Sequence, residues 1–187
     1  MKILYQGSPG AYSHLAALEV YPNAEIMPCK TFDECFSKAQ DNENLKIIIP
    51  ESNKTTGNIG IEYLIFKYRL NIYAEHFHKI EHNLLGLPGA KITDIKNVLS
   101  HAQGLSQCSN FIKKNNLIEN VRADTAGSAE FISRNKEISN SAIASKLSEK
   151  IYNLDVIASN IENEKGNTTR FLVMGKSIHQ PDLRKKK

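Results

Sequence analysis

The sequence predicts an α/β fold arranged as two small lobes, and three observations predict it. Short β-type runs alternate with stretches of helical spacing along the 187 residues, the pattern of βα units built on partly parallel sheet. The run Ile47-Ile48-Ile49 is continuously apolar, as a strand buried on both faces should be. One segment near the middle, 71–87, carries no helix signal and holds Ile72, Ala74, His76, His78 and Ile80 at period two. Such a length of extended chain reads as a crossing between lobes, and a second crossing is needed if the last strand returns to the first lobe. Two crossings make a hinged pair with a cleft, a natural small-molecule site. On periodicity a single doubly wound domain remains an alternative.

The elements follow in order. Lys2–Gln6 is a strand stopped by Gly7-Ser8-Pro9-Gly10. Residues 11–20 are helical, with Leu15, Ala16 and Leu18 expected on the inner side. A short strand spans 25–28. Thr31 with Glu34 three residues on is a capping-box pattern that opens a helix to about Gln40. The strand at 47–49 leads into a polar loop, 51–56, and a helix over 57–68. After the extended 71–87, strands are expected at 97–99, near Val121, and at 142–144, 156–158 and 171–174. Helices are expected at 103–114, 125–134 and 145–152. This order divides the chain into one lobe of 1–74 plus 160–180, a second of 75–159, and a basic tail, 181–187, expected to be disordered.

Composition excludes several classes. Hydrophobic residues are 41% and charged residues 24%, which is globular rather than disordered. No apolar run approaches the ~18 residues of a membrane span, so no membrane association is expected. The net charge of +4 is mostly a tail effect, because residues 181–187 hold four positive charges and one negative. With no tryptophan and no interleaving of basic and aromatic residues, nucleic-acid binding is not expected. Cys29, Cys35 and Cys108 have no metal or disulfide spacing, and a reducing cytoplasm is the natural compartment.

Four loops join a strand to a helix and carry small polar residues: 7–13, 50–57, 100–103 and 124–127. Helix N-termini offer unpaired N–H groups to anions, and loops at the carboxyl ends of strands are where α/β folds bind ligands. Each loop is weak by itself. Together their N–H groups and hydroxyls suit an anionic ligand without much side-chain charge. Ser100 and either Asp124 or Thr125 are expected helix caps. Asn167-Thr168-Thr169-Arg170-Phe171 precedes the last strand, where a hydroxyl beside an arginine fork would suit a carboxylate. His76, His78 and His82, with Glu75 and Glu81, form the tempting metal cluster, but spacing fixes no third ligand and no metal is expected.

These motifs, in this order and spacing, resemble the prephenate dehydratase family over nearly the whole chain. The resemblance rests on the segment Gly7 to Ala17, on His82-Asn83-Leu84-Leu85, on Ser100-His101-Ala102-Gln103-Gly104-Leu105-Ser106-Gln107-Cys108, on Asp124-Thr125-Ala126-Gly127-Ser128-Ala129, on Ser141 to Ser145 and on Asn167 to Phe171. The chain departs from the family pattern at Glu51-Ser52-Asn53-Lys54, where Asn53 matches but Ser52 and Lys54 replace a glutamate and a serine.

The resemblance implies two α/β lobes around a cleft, as in periplasmic binding proteins, and a lyase that converts prephenate to phenylpyruvate without a cofactor, in phenylalanine biosynthesis. It implies Thr169 as the catalytic donor to the leaving hydroxyl and Arg170 as a carboxylate anchor. Ser13, Asn53, Ser100, Thr125, Asn167 and Phe171 would complete the substrate site. A homodimer is expected by analogy. Family members usually add a phenylalanine-sensing ACT domain; the resemblance stops near Met174, which implies a catalytic region without that module or its feedback inhibition. Two alternatives stand beside this reading: arogenate dehydratase, with Ser128 in the segment that separates the two, and a non-catalytic binder of amino or keto acids.

Overall fold

A computed structural model of the protein describes residues 1–176, so the expected tail at 181–187 and residues 177–180 lie outside the described part. The described chain forms two separate sheets. The first contains β1 (Lys2–Gln6), β2 (Glu25–Cys29), β3 (Leu45–Asn53), β4 (Gly57–Asn58), β5 (Asn71–Lys79) and β11 (Thr168–Gly175), ordered β2-β1-β3-β11-β5 with β4 paired to β3. The second is ordered β10-β6-β9-β7-β8, from β6 (Asn83–Gly86), β7 (Asn97–Ser100), β8 (Ile118–Val121), β9 (Asn140–Ala144) and β10 (Asp155–Ala158). β1, β2 and β3 are parallel, whereas β11 runs antiparallel to both β3 and β5.

The central strands of both sheets are covered on both faces, which is why they read as apolar runs. In the first sheet Ile3, Tyr5 and Ile48 face α1 (Tyr12–Val20) together with Phe171 and Val173. Leu4, Ile47, Ile49, Leu172 and Met174 face the opposite side, covered by α2 (Phe32–Asp41) and α3 (Glu62–Tyr68). The second sheet packs Leu84, Val98 and Ile143 against α4 (Ala102–Gln107) and α5 (Ser109–Lys114), and Leu85, Leu99 and Ala142 against α6 (Thr125–Asn135). A last helix, α7 (Lys146–Tyr152), connects β9 to β10. Successive residues thus serve opposite layers, the period-two rule of an extended chain.

Several expectations need correction. β5 stays paired with β11 as far as Lys79 opposite Thr168, so residues 75–79 belong to the first sheet and the crossing falls between Lys79 and Asn83, not at 74. In α1 the buried residues are Ser13, Ala16 and Ala17, while Leu15 and Leu18 are only half-buried; small side chains let this helix lie close on the sheet. The first half of the polar loop at 51–56 is strand and the second half a turn, because Gly57–Asn58 turns back to pair with Ser52 and Asn53, which delays α3 to Glu62. The helix expected at 103–114 is two, broken at Cys108, whose φ of −114° and ψ of 13° leave helical geometry. Thr31 does cap α2, accepting from the Glu34 N–H at 3.1 Å. The Glu34 carboxylate reaches back to the Lys30 N–H rather than to Thr31.

Candidate active site

Between the two sheets lies a cleft of about 420 Å³. The ends of β1, β3, β7 and β8 and their following loops open onto it, so the four loops singled out in the sequence converge on one volume. Gln6 and Gly7 come from the first loop with Ala11, Tyr12 and Ser13, while Pro50 and Asn53 come from the second. His101, Gln103, Gly104 and Gln107 come from the third, and Ala123, Asp124 and Thr125 from the fourth. Ile59, Ile80 and Phe171 give the cleft apolar surface, and Thr169 joins them. Among the described residues the lining holds no lysine or arginine.

Thr169 sits opposite Asn53 in the β11–β3 register, and both side chains are buried. The Asn53 Oδ1 accepts from the backbone N–H groups of Thr55 (3.0 Å) and Thr56 (3.2 Å). That commits the other end of the amide as donor, and Nδ2 donates to Thr169 Oγ1 at 2.9 Å. The threonine oxygen is therefore an acceptor toward Asn53, and its own proton is free to point into the cleft. A hydroxyl that accepts one hydrogen bond is polarised to donate another more strongly.

A second polar cluster crosses between the lobes. The Tyr12 hydroxyl donates to the Glu81 carbonyl (2.9 Å) and lies 2.8 Å from His82 Nδ1. His82 Nε2 meets Gln107 Oε1 at 2.8 Å. Burial lowers the His82 pKa from the usual imidazole value, against the opposing pull of Gln107 and Glu162, so the ring is neutral at neutral pH. Burial also holds the Tyr12 phenol well above its usual pKa, keeping it a donor. Gln107 lines the cleft, while its Nε2 is buried with no hydrogen-bond partner among the described residues. Tyr12, His82 and Gln107 lie within the family motifs, but sequence alone does not place them in the site. The spacing of Gln103 and Gln107, one helical turn apart, is the signal that places both on one face.

The backbone of the first loop is fixed by its neighbours. Gly10 has φ of +93°, and a Cβ there would meet Ser148 Oγ at 2.5 Å. The Gly10 carbonyl accepts from Ser145 Oγ at 2.5 Å, and the Pro9 carbonyl accepts from the Tyr152 hydroxyl at 2.7 Å. These bonds from the second lobe hold the start of α1 at the cleft. Its N-cap is Ala11, whose methyl group cannot accept from the first-turn N–H groups. At α6 the cap is Asp124, whose carboxylate already accepts from the Gly127 N–H. The start of α1 is thus the more open anion site.

Of the residues expected in the site, Ser13, Asn53, Thr125, Thr169 and Phe171 line the cleft. Three do not. Arg170 faces away, because alternation along β11 turns it to the opposite side from Thr169 and Phe171. Its guanidinium pairs with Glu75 (2.8 Å) and Glu51 (3.2 Å). Ser100 is fully buried behind the wall, donating to the Ile143 carbonyl at 2.8 Å; the cap of α4 is His101 instead. Asn167 is buried beside the crossing, where its carbonyl accepts from the Ile80 N–H. Ser128 is also absent from the lining, its hydroxyl turned back onto the Asp124 carbonyl.

The family model described as prephenate dehydratase matches residues 3–179. An Arabidopsis thaliana protein named arogenate dehydratase/prephenate dehydratase 1, chloroplastic, is 42% identical over 179 residues, covering 94% of this chain and 45% of the relative. The chain therefore spans about half the length of the curated relatives it matches. Among solved structures, one titled as the prephenate dehydratase from Staphylococcus aureus superposes with a TM-score of 0.82 at 27% identity, covering 95% of this chain and 67% of that one. Another, titled GqqA and described as a novel type of quorum-quenching acylase, gives a TM-score of 0.87 at 31% identity, covering 95% and 65%. Among the described residues no helix is long and apolar enough to cross a membrane.

Proposed function

Because the chain belongs to the prephenate dehydratase family, we propose that its cleft converts prephenate to phenylpyruvate, carbon dioxide and water. The bond from the ring to its carboxylate breaks and releases carbon dioxide. The electron pair left on the ring completes the aromatic system and expels the ring hydroxyl, which leaves as water after taking one proton. Aromatisation drives the step, so the protein must hold a dianion and stabilise charge on the departing oxygen.

The observation that carries this reading is the direction of the Asn53–Thr169 hydrogen bond. It frees the Thr169 proton for the leaving oxygen. A threonine hydroxyl is too weak an acid to protonate it outright. A hydrogen bond that strengthens as charge develops is worth about 10²–10³ in rate. The carboxylates would be met by the N–H groups at the start of α1 and by the Ser13 and Thr125 hydroxyls, without an arginine. The test is turnover of prephenate, followed as phenylpyruvate absorbance in base, in the wild type and in Thr169→Val. Loss of turnover in the variant with its fold intact supports the assignment. A binding module would hold the substrate without turning it over.

Asp124 favours a second reading, arogenate. It is the only acidic side chain among the described lining residues, and a carboxylate in the cleft suits the ammonium that arogenate carries and prephenate lacks. Asp124→Asn keeps the cap and removes the charge. If arogenate is the substrate, that variant loses arogenate turnover more than prephenate turnover.

A further inference from the structure

A second set of functional groups lies on the face of the first sheet that carries α1. His76 and His78 stand two apart on β5 and so project to the same face. Glu19, near the end of α1, reaches down between them. Its Oε2 is 2.7 Å from His76 Nε2 and 3.0 Å from His78 Nδ1, and the three donor atoms all lie within 4.8 Å of one another. The His76 and His78 side chains are 27% and 11% exposed and that of Glu19 is 46% exposed, so an ion can enter from solvent without unfolding anything. None of the three lines the cleft.

We propose that Glu19, His76 and His78 bind a divalent transition-metal ion, with Zn²⁺ the best match. Two imidazole nitrogens and one carboxylate oxygen are a borderline donor set, which selects zinc over the hard cations magnesium and calcium. Zinc–ligand bonds of about 2.0–2.1 Å set tetrahedral donors roughly 3.3 Å apart, so the present spacing closes on an ion with sub-ångström side-chain shifts. Three protein ligands leave the solvent side for water. In the metal-free protein the carboxylate bridges two imidazoles, and the ion would replace the ring protons there. Protons and the ion compete for the same ring nitrogens, so binding weakens on acidification. The ion would tie α1, whose first turn borders the cleft, to β5, which leads into the crossing at 80–82.

The test titrates Zn²⁺ into the whole metal-free chain at pH 7.5 by calorimetry, with Mg²⁺ as control. One Zn²⁺ per chain with a dissociation constant of about micromolar or tighter is expected, with no Mg²⁺ heat. His76→Ala and Glu19→Gln should each weaken binding by roughly ten-fold or more, as loss of one of three ligands does. Zinc should raise the melting temperature of the wild type by more than that of either variant at the same zinc concentration. Both changes are on partly exposed side chains, and circular dichroism checks the fold. Unchanged stoichiometry and affinity in both variants, or no saturable binding by the wild type, overturns the site.

Discussion

Replacing Asn53 by aspartate changes one NH₂ for an oxygen and reverses a hydrogen bond. In the wild type Nδ2 donates to Thr169 Oγ1, and the threonine proton is free. In Asn53→Asp one carboxylate oxygen still accepts from the Thr55 and Thr56 N–H groups, as Oδ1 does now. The other can only accept, so Thr169 must donate to it. A hydrogen bond to a charged acceptor is worth about 1.5–3 kcal/mol and must be broken before Thr169 can serve the leaving oxygen. That corresponds to a fall in kcat of about 10- to 150-fold at 1.4 kcal/mol per decade. Thr169→Val deletes the donor and should cost about 10²–10³ in kcat. The orphaned Asn53 NH₂ then costs ~1–3 kcal/mol of stability, read separately by denaturant titration. Thr169→Ser keeps the donor and should recover part of the rate. Steady-state assays with prephenate separate kcat from KM, and the threonine variants should move mainly kcat. If Asn53→Asp and Thr169→Val both retain kcat within three-fold of wild type, the leaving-group role of this pair is wrong.

Arg170→Ala should leave kcat and KM within about three-fold, since surface ion pairs are worth little and the side chain faces away from the cleft; a ten-fold rise in KM would return Arg170 to the substrate site. Gly10→Ala combines a positive φ with a clash on Ser148, whereas Gly60 has φ of +84° and open space around it. Gly10→Ala should therefore cost roughly 1–3 kcal/mol more than Gly60→Ala, and equal losses in paired melts would mean that only the backbone conformation matters. Burial lowers the pKa of both His14 and His82 in the folded state. The unfolded chain then binds more protons just below its own imidazole value of ~6.5. Stability from these groups is intact above that pH and declines as pH falls toward the folded values. Melting at pH 7.5, 6.5 and 5.5 should reveal the decline, and His82→Gln should shallow it; a melting temperature flat down to pH 5.5 would contradict neutral burial.

What the sequence by itself determined was local: the apolar runs of the strands, the Thr31 cap, the polar loops that follow strands, and the residues that align with the family motifs. These depend on neighbours a few positions away, and the run Ile47-Ile48-Ile49 already implies a strand covered on both faces. Periodicity could suggest two sheets but not where the chain changes between them, because residues 75–79 carry the same alternation whichever sheet they join. Only pairing with β11 assigned them to the first. The same strand decided the site. Asn167-Thr168-Thr169-Arg170-Phe171 reads as one motif, yet an extended backbone sends neighbouring side chains to opposite faces, so Thr169 and Phe171 meet the cleft while Arg170 meets Glu51 and Glu75. Glu19 is 57 positions from His76, and no spacing rule joins them; the packing of α1 on β5 does. Contacts distant along the chain are set by which elements pack together, and that is a property of the whole fold rather than of any window of sequence.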